Sequence, residues 1–425
     1  MEHDATCTTD HEDASGYRCL FVPPQLVSAI TQNAVSDDNN NVSMEAIVQL
    51  QTFNSISGKS EVSEERSDKE EISIQLARAA EENPRSKDSS PGKHRQIYDL
   101  QFCKRPSAFP GVLVRSEGDP PVKDPAVNAL YDAMGVVYDF FSTKFHDNNI
   151  FRTYTPPVGI VHFDFYFPGA FFHLPYTPSD PSSSNKHTAI ICGDGWDNDP
   201  WNAGAALKTF GGCFGNFAGS LEVVAHEMIH GFLHAVCGLR LDGEPGVVNE
   251  HLADVFGIMC EQFHKNQTVS EADWLIGEDL IAPDWKGVAF RSFKSPGTAY
   301  KLSGKPYFVQ NGDDMQVAHM DKYYKGEEDY GGVHINSGIL NKAFYLVASR
   351  LAGRGEKYKN SWDGAGSIWY KALTMDSPVP MAPDCDVKMW AQRTYSAAKR
   401  QLKLEKDVVQ VVVDAWSEVG IAVIV

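Results

Sequence analysis

Apolar and polar positions divide the chain into regions of different periodicity. Residues 1–95 are mostly polar, apart from one compact apolar stretch, CLFVPPQLVSAI (19–30). The next region contains continuous or alternating apolar runs bounded by Gly and Pro, such as GIVHFDFYF (159–167) and TAIICGDG (188–195), which predict β-strands. From about residue 220, apolar residues recur at intervals of three and four, which predicts helices. The pattern therefore predicts an α+β fold, with a β-rich half followed by an α-helical half.

Five segments carry the helical spacing: LEVVAHEMIHGFLHAV, VVNEHLADVFGIMCEQF, GILNKAFYLVASRL, MWAQRTYSAAKRQL and VVQVVVDAWSEVG. Residues 31–95, which contain SEVSEERSDKEE, are predicted to form a flexible acidic linker. They follow a segment, residues 1–30, that contains a short apolar element. We expect two further parts, a β-rich subdomain over 96–235 and a helical subdomain over 236–425.

The first helical segment holds two histidines four positions apart, His226 and His230, with Glu227 directly after the first. Residues i and i+4 share one helix face, so both imidazoles can reach one ion. This is the HExxH arrangement of zinc metalloproteases, although a core helix with satisfied histidines would read the same way. Downstream, Glu250 supplies a third candidate ligand and Asp254 a carboxylate that can orient a histidine. Three protein ligands leave a position open for water, as a catalytic zinc requires.

Composition narrows the choice of partners and compartment. The chain has 425 residues, is 42% hydrophobic and carries a formal net charge of -18, which argues against nucleic acid as a partner. Its 8 cysteines form no CxxC pair, so reduced thiols are expected. No apolar run is long enough for a membrane span. The N-terminus is acidic where a signal peptide would be basic, which predicts a cytoplasmic location by default, with non-classical secretion as the alternative.

Together these residues resemble the thermolysin family of zinc metallopeptidases, over roughly residues 96–425. The segment YGGVHINSGILNKAFYLVA (330–348) is similar to the family's segment bearing a catalytic histidine, which implies that role for His334 and an orienting role for Asp329. The RSF segment at 291–293 resembles the place of the substrate-clamping arginine, which implies Arg291. The resemblance implies a thermolysin-like fold with the zinc in a cleft between its two halves.

The residues suggest how such a site would hydrolyse a peptide bond. Zinc lowers the pKa of its bound water to about 7, and Glu227 is placed to take that water's proton as general base. His334 would stabilise the negative charge that develops on the carbonyl oxygen. Two departures from the family stand out: Leu241 replaces a second oxyanion donor, a tyrosine, and Gly169 replaces a substrate-binding asparagine. The backbone carbonyl of Ala170 remains available to substrate.

A second metal is implied by carboxylates at family calcium positions. Converging carboxylates repel one another without a cation, and ligation by oxygen alone selects a hard ion such as Ca²⁺. Leu275 stands where family members with two calcium ions have a carboxylate, so one ion is expected. A solvated acidic face is the alternative. The predicted calcium ligands are Glu222, Glu261, Asp273 and Glu278.

The apolar stretch near the N-terminus resembles the short propeptide of protealysin-like members of the family, with Pro23, Pro24 and Leu26 matching their Pro-Pro-x-Leu core. We expect a zymogen in which this peptide occupies the substrate cleft until the linker is cut within 84–96. Cys19 is an alternative contact, because a thiolate binds zinc well.

The sequence thus predicts a zinc-dependent endopeptidase whose partners are peptide or protein substrates and its own propeptide. The alternative is a catalytically silent protein of the same fold that keeps zinc and binds peptides. Glu227 and His334 count against it, since neither is needed merely to hold zinc.

Overall fold

The computed structural model describes residues 18–20 (backbone only), 93–103, 108–152, 156–164, 167–173, 188–195, 214–281, 287–301, 313–375, 381–401 and 406–425. The predicted propeptide core of Pro23, Pro24 and Leu26 lies outside the described residues, as does most of the predicted linker. The side chain of Cys19 lies outside them as well.

A mixed six-stranded sheet forms the first half of the described chain. Its strands are β1 (Arg18–Leu20), β2 (Gln96–Asp99), β3 (Val112–Ser116), β4 (Val158–Val161), β5 (Ala170–His173) and β6 (Ala189–Cys192). They lie in the order β1-β5-β6-β4-β2-β3; β4 is parallel to β2 and β6, and the other neighbours are antiparallel. A two-stranded ladder pairs β7 (Leu275–Ile276) with β8 (Arg291–Ser292). The N-terminal strand β1 therefore covers the outer edge of β5.

Helices dominate the second half. In the described ranges they are α1 (Pro125–Phe145), α2 (Leu221–Cys237), α3 (Gly243–His264), α4 (Glu328–Ala352), α5 (Ser367–Thr374), α6 (Val387–Gln401) and α7 (Lys406–Glu418). Shorter helical turns lie at Phe217–Gly219, Met320–Lys322, Glu356–Tyr358 and Trp362–Gly366. The five predicted segments correspond to α2, α3, α4, α6 and α7, so the predicted α+β class is confirmed. The hydrophobic pattern did not predict α1 or α5.

Helix α1 lies within the β-rich half and packs on the sheet. It begins after Asp124, whose Oδ1 accepts the backbone N–H of Ala126 at 2.8 Å, and Pro125 occupies its first turn. Its contact with β4 is close, because a Cβ atom added at Gly159 would lie 2.8 Å from Leu130 Cδ2. Because Gly159 has no side chain, α1 can pack closely over the centre of the sheet.

His162 ties the start of α1 to the ends of two central strands. It directly follows β4, and its Nδ1 lies 2.7 Å from Oδ2 of Asp194, which comes shortly after β6. Its Nε2 lies 2.8 Å from Oδ2 of Asp124, the residue that caps α1. Burial opposes a charge on this imidazole, but the hydrogen bonds and charges of Asp194 and Asp124 outweigh burial and raise the pKa of His162 to about 9. His162 is therefore protonated at neutral pH and joins two carboxylates.

Replacing His162 with glutamine should remove a pH-dependent part of the stability. Because the folded pKa of about 9 lies above the value of about 6.5 for an unfolded histidine, the stabilisation is fully present below about pH 6.5 and is lost as pH rises through 9. The shift corresponds to roughly 3 kcal/mol. We expect the difference in melting temperature between wild type and His162→Gln to shrink as the pH rises across this window. A constant difference would contradict the assignment.

Helices α2 and α3 touch backbone to backbone in the core of the helical half. A Cβ atom added at Gly257 of α3 would lie 2.8 Å from the carbonyl oxygen of Glu222 and 3.5 Å from the amide nitrogen of His226, both on α2. Such close contact brings the polar residues of the two helices into one buried cluster.

Candidate metal centre

Helix α2 places two imidazole nitrogens side by side inside the protein. The helix ends at Cys237, and the next residue, Gly238, has a left-handed backbone (φ 60°) that allows its N–H to donate to the Leu233 carbonyl. His226 and His230 lie one turn apart on this helix, are both buried, and have Nε2 atoms 3.0 Å apart. The two nitrogens are thus directed at one common position.

Glu250 of α3 completes a three-ligand cluster. Its Oε2 lies 3.4 Å from Nε2 of His226, and its Oε1 lies 3.5 Å from Nε2 of His230. The candidate ligand atoms of these three residues all lie within 4.8 Å of one another, and no other set of three His, Cys, Asp or Glu residues within the described ranges converges in this way. Burial opposes the charge on Glu250, but His334 and His230 outweigh burial and hold its pKa well below the usual range. The structure therefore brings the predicted zinc ligands together.

The second nitrogen of each ligand histidine is also held. His226 Nδ1 lies 2.9 Å from Asp254 Oδ1, and His230 Nδ1 lies 2.8 Å from Asn249 Oδ1. The Asn249 amide is oriented by its own donation to the Leu239 carbonyl at 3.1 Å, which leaves the oxygen to face His230. With Nδ1–H donated to oxygen, each Nε2 presents a lone pair to a metal. Asn249 was not predicted, although it directly precedes Glu250 in the sequence.

Asp254 is itself fixed by two residues from other elements. Its Oδ1 accepts a hydrogen bond from Nε of Arg291 at 3.1 Å and lies 2.9 Å from Nη2 of the same guanidinium group as an ion pair, and its Oδ2 accepts from Nδ2 of Asn341 at 2.9 Å. Burial alone would raise the pKa of Asp254, but the charges of Arg291 and His226 hold it below its ordinary value. The structure therefore places Arg291 on the carboxylate that orients His226, and its predicted contact with substrate stays a prediction.

Glu227 is buried beside the ligand cluster without being part of it. Neither of its carboxyl oxygens has a hydrogen-bonding side chain as partner in the described parts of the chain. Burial raises its pKa to about 8 and Glu250 adds to the rise, while His226, Arg291 and the Phe172 backbone oppose it. A buried carboxyl group without a fixed side-chain partner is poised to exchange a proton with a bound molecule.

His334 reaches the same cluster from α4. Four successive residues, Asp329, Tyr330, Gly331 and Gly332, have positive φ between 53 and 88°, so the backbone makes a left-handed turn just before it. Through this turn Asp329 contacts His334 twice: its Oδ2 accepts the backbone N–H of His334 at 2.9 Å, and its Oδ1 lies 2.6 Å from Nδ1 of the ring. Nε2 of His334 then lies 3.2 Å from Oε2 of Glu250. The predicted pair of Asp329 and His334 is thus brought to the metal cluster.

The other predicted residues lie on β5, in the α2–α3 connection and around the end of α3. Ala170 starts β5 and pairs with Cys192, while the Gly169 carbonyl accepts the backbone N–H of Gly193 at 2.9 Å. Leu241 lies in the short connection between α2 and α3 and is half-buried. Two of the predicted calcium carboxylates, Glu261 and Glu278, lie beside Lys265 at the C-terminal end of α3.

Comparison with known proteins identifies the family. Residues 237–421 match the alpha-helical domain of thermolysin metallopeptidases. The extracellular metalloprotease of Pectobacterium carotovorum is 32% identical to the chain over 406 residues, which cover 95% of this chain and 97% of that protein. The chain belongs to the thermolysin family of metallopeptidases. Protease PrtS of Photorhabdus is 34% identical over 334 residues, covering 78% of this chain and 77% of that protein.

A solved structure extends the likeness to the N-terminal region. The precursor of protealysin, a metalloproteinase from Serratia proteamaculans, matches with a TM-score of 0.70 and 30% identity, covering 95% of this chain and 100% of that one. These matches confirm the predicted thermolysin-like fold, the protealysin-like resemblance and the prediction of a zinc metalloendopeptidase. A match to a precursor over nearly the whole chain is consistent with a zymogen.

The predicted cytoplasmic location is wrong. The Pectobacterium relative and a Serratia marcescens relative, 35% identical over 230 residues, are both named extracellular proteases, which points to secretion. An acidic N-terminus favoured the cytoplasm over the alternative of non-classical secretion, although a basic and apolar N-terminus marks only one export route. None of the helices in the described ranges is long and apolar enough to cross a bilayer.

Proposed function

We propose that this thermolysin-family enzyme hydrolyses internal peptide bonds outside the cell, with one zinc ion held by His226, His230 and Glu250. The observation that carries the proposal is the convergence of these three ligand atoms next to two groups, Glu227 and His334, that are not needed to hold the ion. A purely structural site would have a fourth protein ligand in place of an open position.

The donor set fits zinc. Two neutral imidazoles and one carboxylate form the His₂Glu set that thermolysin-type enzymes use for a catalytic zinc ion. The partners of the non-ligating nitrogens, Asp254 and Asn249, fix the ring orientations before any metal arrives. When bound, the zinc supplies a Lewis acid that polarises the substrate carbonyl and lowers the pKa of water.

Glu227 acts as the general base in this proposal. It takes a proton from the attacking water and passes it to the departing amine. It follows His226 directly on α2, beside the residues that would hold the ion, and both of its oxygens lack a side-chain hydrogen-bond partner in the described parts of the chain. Glu227 lies near the backbone of Phe172, a residue of β5, and we propose that an extended substrate lies along this strand.

His334 supplies a donor for the developing oxyanion. Asp329 lies 2.6 Å from Nδ1 of His334 and holds the ring so that Nε2 is directed to the cluster, where a protonated imidazole would present an N–H to the oxyanion. Leu241 provides no second donor, and loss of one such donor typically costs about 10²–10³ in rate. We therefore propose that His334 and the zinc together carry the oxyanion stabilisation, with Arg291 and the Ala170 carbonyl contacting substrate.

A peptide blocked at both ends and cleaved at an internal bond tests the proposed activity. After the linker is cut by an added protease, the chain should cleave this peptide, and a zinc chelator should abolish the cleavage. Stoichiometric zinc and measurable peptide binding without cleavage would instead favour the silent binding protein.

The pairing of β1 with β5 supports a zymogen. β1 lies antiparallel to β5, with Cys19 opposite Phe172 and Leu20 opposite Phe171. On its other side β5 is already bonded to β6, so β1 occupies the one edge on which an extended substrate could add as a strand. We propose that the N-terminal segment blocks substrate in this way until it is released.

Replacing Cys19 with proline should activate the uncut chain. Proline has no N–H and a fixed φ, so it weakens a short strand pairing, and a loss of about 1.4 kcal/mol corresponds to about tenfold more open cleft. We expect about tenfold higher cleavage by the uncut Cys19→Pro chain, measured with the blocked peptide. Cys19→Ala is the control, since it removes the thiol but leaves the strand intact. Activation by Cys19→Ala to the same extent would favour a thiolate on zinc.

We also propose the domain limits predicted from the sequence, with one adjustment. The propeptide would occupy 1–30 and the linker 31–95, which ends where β2 begins. α2 continues to Cys237, so the boundary between the two catalytic subdomains belongs after this residue and not at 235.

We also propose that the four carboxylates predicted as calcium ligands form a cation site. They are Glu222, Glu261, Asp273 and Glu278.

A further inference from the structure

A lysine lies among the carboxylates predicted to bind calcium. Lys265 directly follows α3, and its backbone N–H bonds to the Glu261 carbonyl at 2.8 Å. Its Nζ lies 2.7 Å from Oε1 of Glu261 and 3.5 Å from Oε1 of Glu278. The side-chain ammonium group therefore lies between two of the four predicted ligands.

The other two predicted ligands are engaged by backbone donors. Oε1 of Glu222 accepts the N–H of Gly277 at 2.9 Å, and Oδ1 of Asp273 accepts the N–H of Leu275 at 3.0 Å. Calcium needs six to eight oxygen atoms, yet these four carboxylates, all among the described residues, form no group of three with ligand atoms within 4.8 Å of one another. In this arrangement the donors do not fit a calcium ion unless Lys265 turns away.

We propose that the ammonium group of Lys265 is the resident counter-ion of this acidic cluster, and that calcium binds only by displacing it. The enzyme would then fold and persist without calcium. This inference rests on the proposed cation site and not on proteolysis, so its failure leaves the proposed activity untouched.

The need for a counter-ion follows from burial. The Glu261 side chain is only 7% exposed, and Glu222 beside it is 1% exposed, so an unpaired negative charge there would be costly. Asp279 adds a further carboxyl group next to Glu222. An ion pair of Glu261 and Lys265 on an exposed helix would contribute little, but burial of Glu261 and the second contact with Glu278 make this pair different.

The covalent connection between Lys265 and Glu261 through the chain also favours the lysine over a free ion. Lys265 is four residues from Glu261 on the same helix end, so its binding is intramolecular and requires no ion from solution. Calcium, although doubly charged, must first displace this group.

Thermal unfolding of the full-length, zinc-loaded chain tests the proposal. Melting temperatures would be measured in calcium-free buffer and again with calcium, with magnesium as the ion control. We expect calcium to change the wild-type melting temperature by less than about 2 °C. Lys265→Met removes the charge at similar volume, so it should melt roughly 5 °C lower without calcium and regain that loss with calcium. Its calcium affinity by calorimetry should be about tenfold above wild type, because the competitor is gone.

Two variants keep the result interpretable. Lys265→Arg retains the charge and should behave as wild type, and Lys359→Met removes a lysine whose partner Glu356 is 92% exposed, so it should leave both measurements unchanged. A wild-type chain that gains as much from calcium as Lys265→Met would overturn the proposal. If Lys265→Met does not fold, the wild-type calorimetric titration decides: weak calcium binding supports the proposal and tight binding overturns it.

Discussion

Replacing Glu227 with glutamine is expected to lower kcat/KM by about 10²–10⁴ while zinc content stays at the wild-type level. Glutamine has nearly the same shape but cannot accept the proton of the attacking water. Zinc should be retained because the ligand atoms belong to His226, His230 and Glu250, and the Glu227 oxygens are not among them. The blocked peptide gives kcat/KM after linker cleavage, and metal analysis of the same sample gives zinc content.

A matched control for this change is Glu356→Gln, because the Glu356 side chain is 92% exposed and pairs with Lys359 rather than with any residue of the metal cluster. It should leave both measurements unaltered. Cleavage by Glu227→Gln within tenfold of wild type would show that another group takes the proton, and the proposed role of Glu227 would be lost.

Replacing Glu250 with glutamine should affect the metal itself. The amide removes the negative charge that holds zinc between the two imidazoles, so zinc affinity should fall by more than about 100-fold, and cleavage should fall with it at limiting zinc. Competition with a chromogenic chelator measures the affinity. Residues that only orient a ligand typically contribute about 10–100-fold.

Asn249→Ala tests that smaller effect on the neighbouring position of α3. It removes the acceptor of His230 Nδ1 while leaving all three ligands in place, so a loss of about tenfold in zinc affinity is expected. The order of the two losses matters: Asn249→Ala weakening zinc as much as Glu250→Gln would mean that Glu250 is not a ligand.

The sequence predicted the parts of the site that depend on local geometry. The spacing of His226 and His230 determines a shared helix face, and that relation survives whatever the helix packs against. Asp329 and His334 were implied only by the family resemblance, and the structure joins them through a short left-handed turn within α4. The helical periodicity from residue 220 onwards likewise reports burial along one element at a time.

Glu250 and Asp254 were predicted as partners of the α2 histidines, but the other long-range partners were not, because they depend on how distant elements pack. Arg291 of β8 and Asn341 of α4 meet at Asp254, and no local pattern connects these three positions. The contact of Asn249 with His230 was not predicted because the motif draws attention to ionisable side chains, whereas an amide oxygen can orient a histidine equally well. Lys265 is the instructive case: its spacing from Glu261 is visible in the sequence, yet only the fold shows that Glu261 is buried.

The helix α1 shows where patterning failed within the fold. The β-rich reading of residues 96–235 rested on apolar runs such as 188–195, and a 21-residue helix lies in the same region. The sequence does contain signals for the start of a helix, since Asp124 caps α1 and Pro125 follows it. The neighbouring apolar runs, which predict strands, nevertheless determined the prediction for this region.

The most direct test of the central claim is a zinc titration of the metal-free, linker-cut chain with cleavage of the blocked peptide as the readout. We predict no cleavage in the metal-free protein, and a rise in rate that is linear in added zinc and ends at one zinc per chain. Cleavage without metal, or one tightly bound zinc per chain with no cleavage, would contradict the assignment of His226, His230 and Glu250 as a catalytic zinc site.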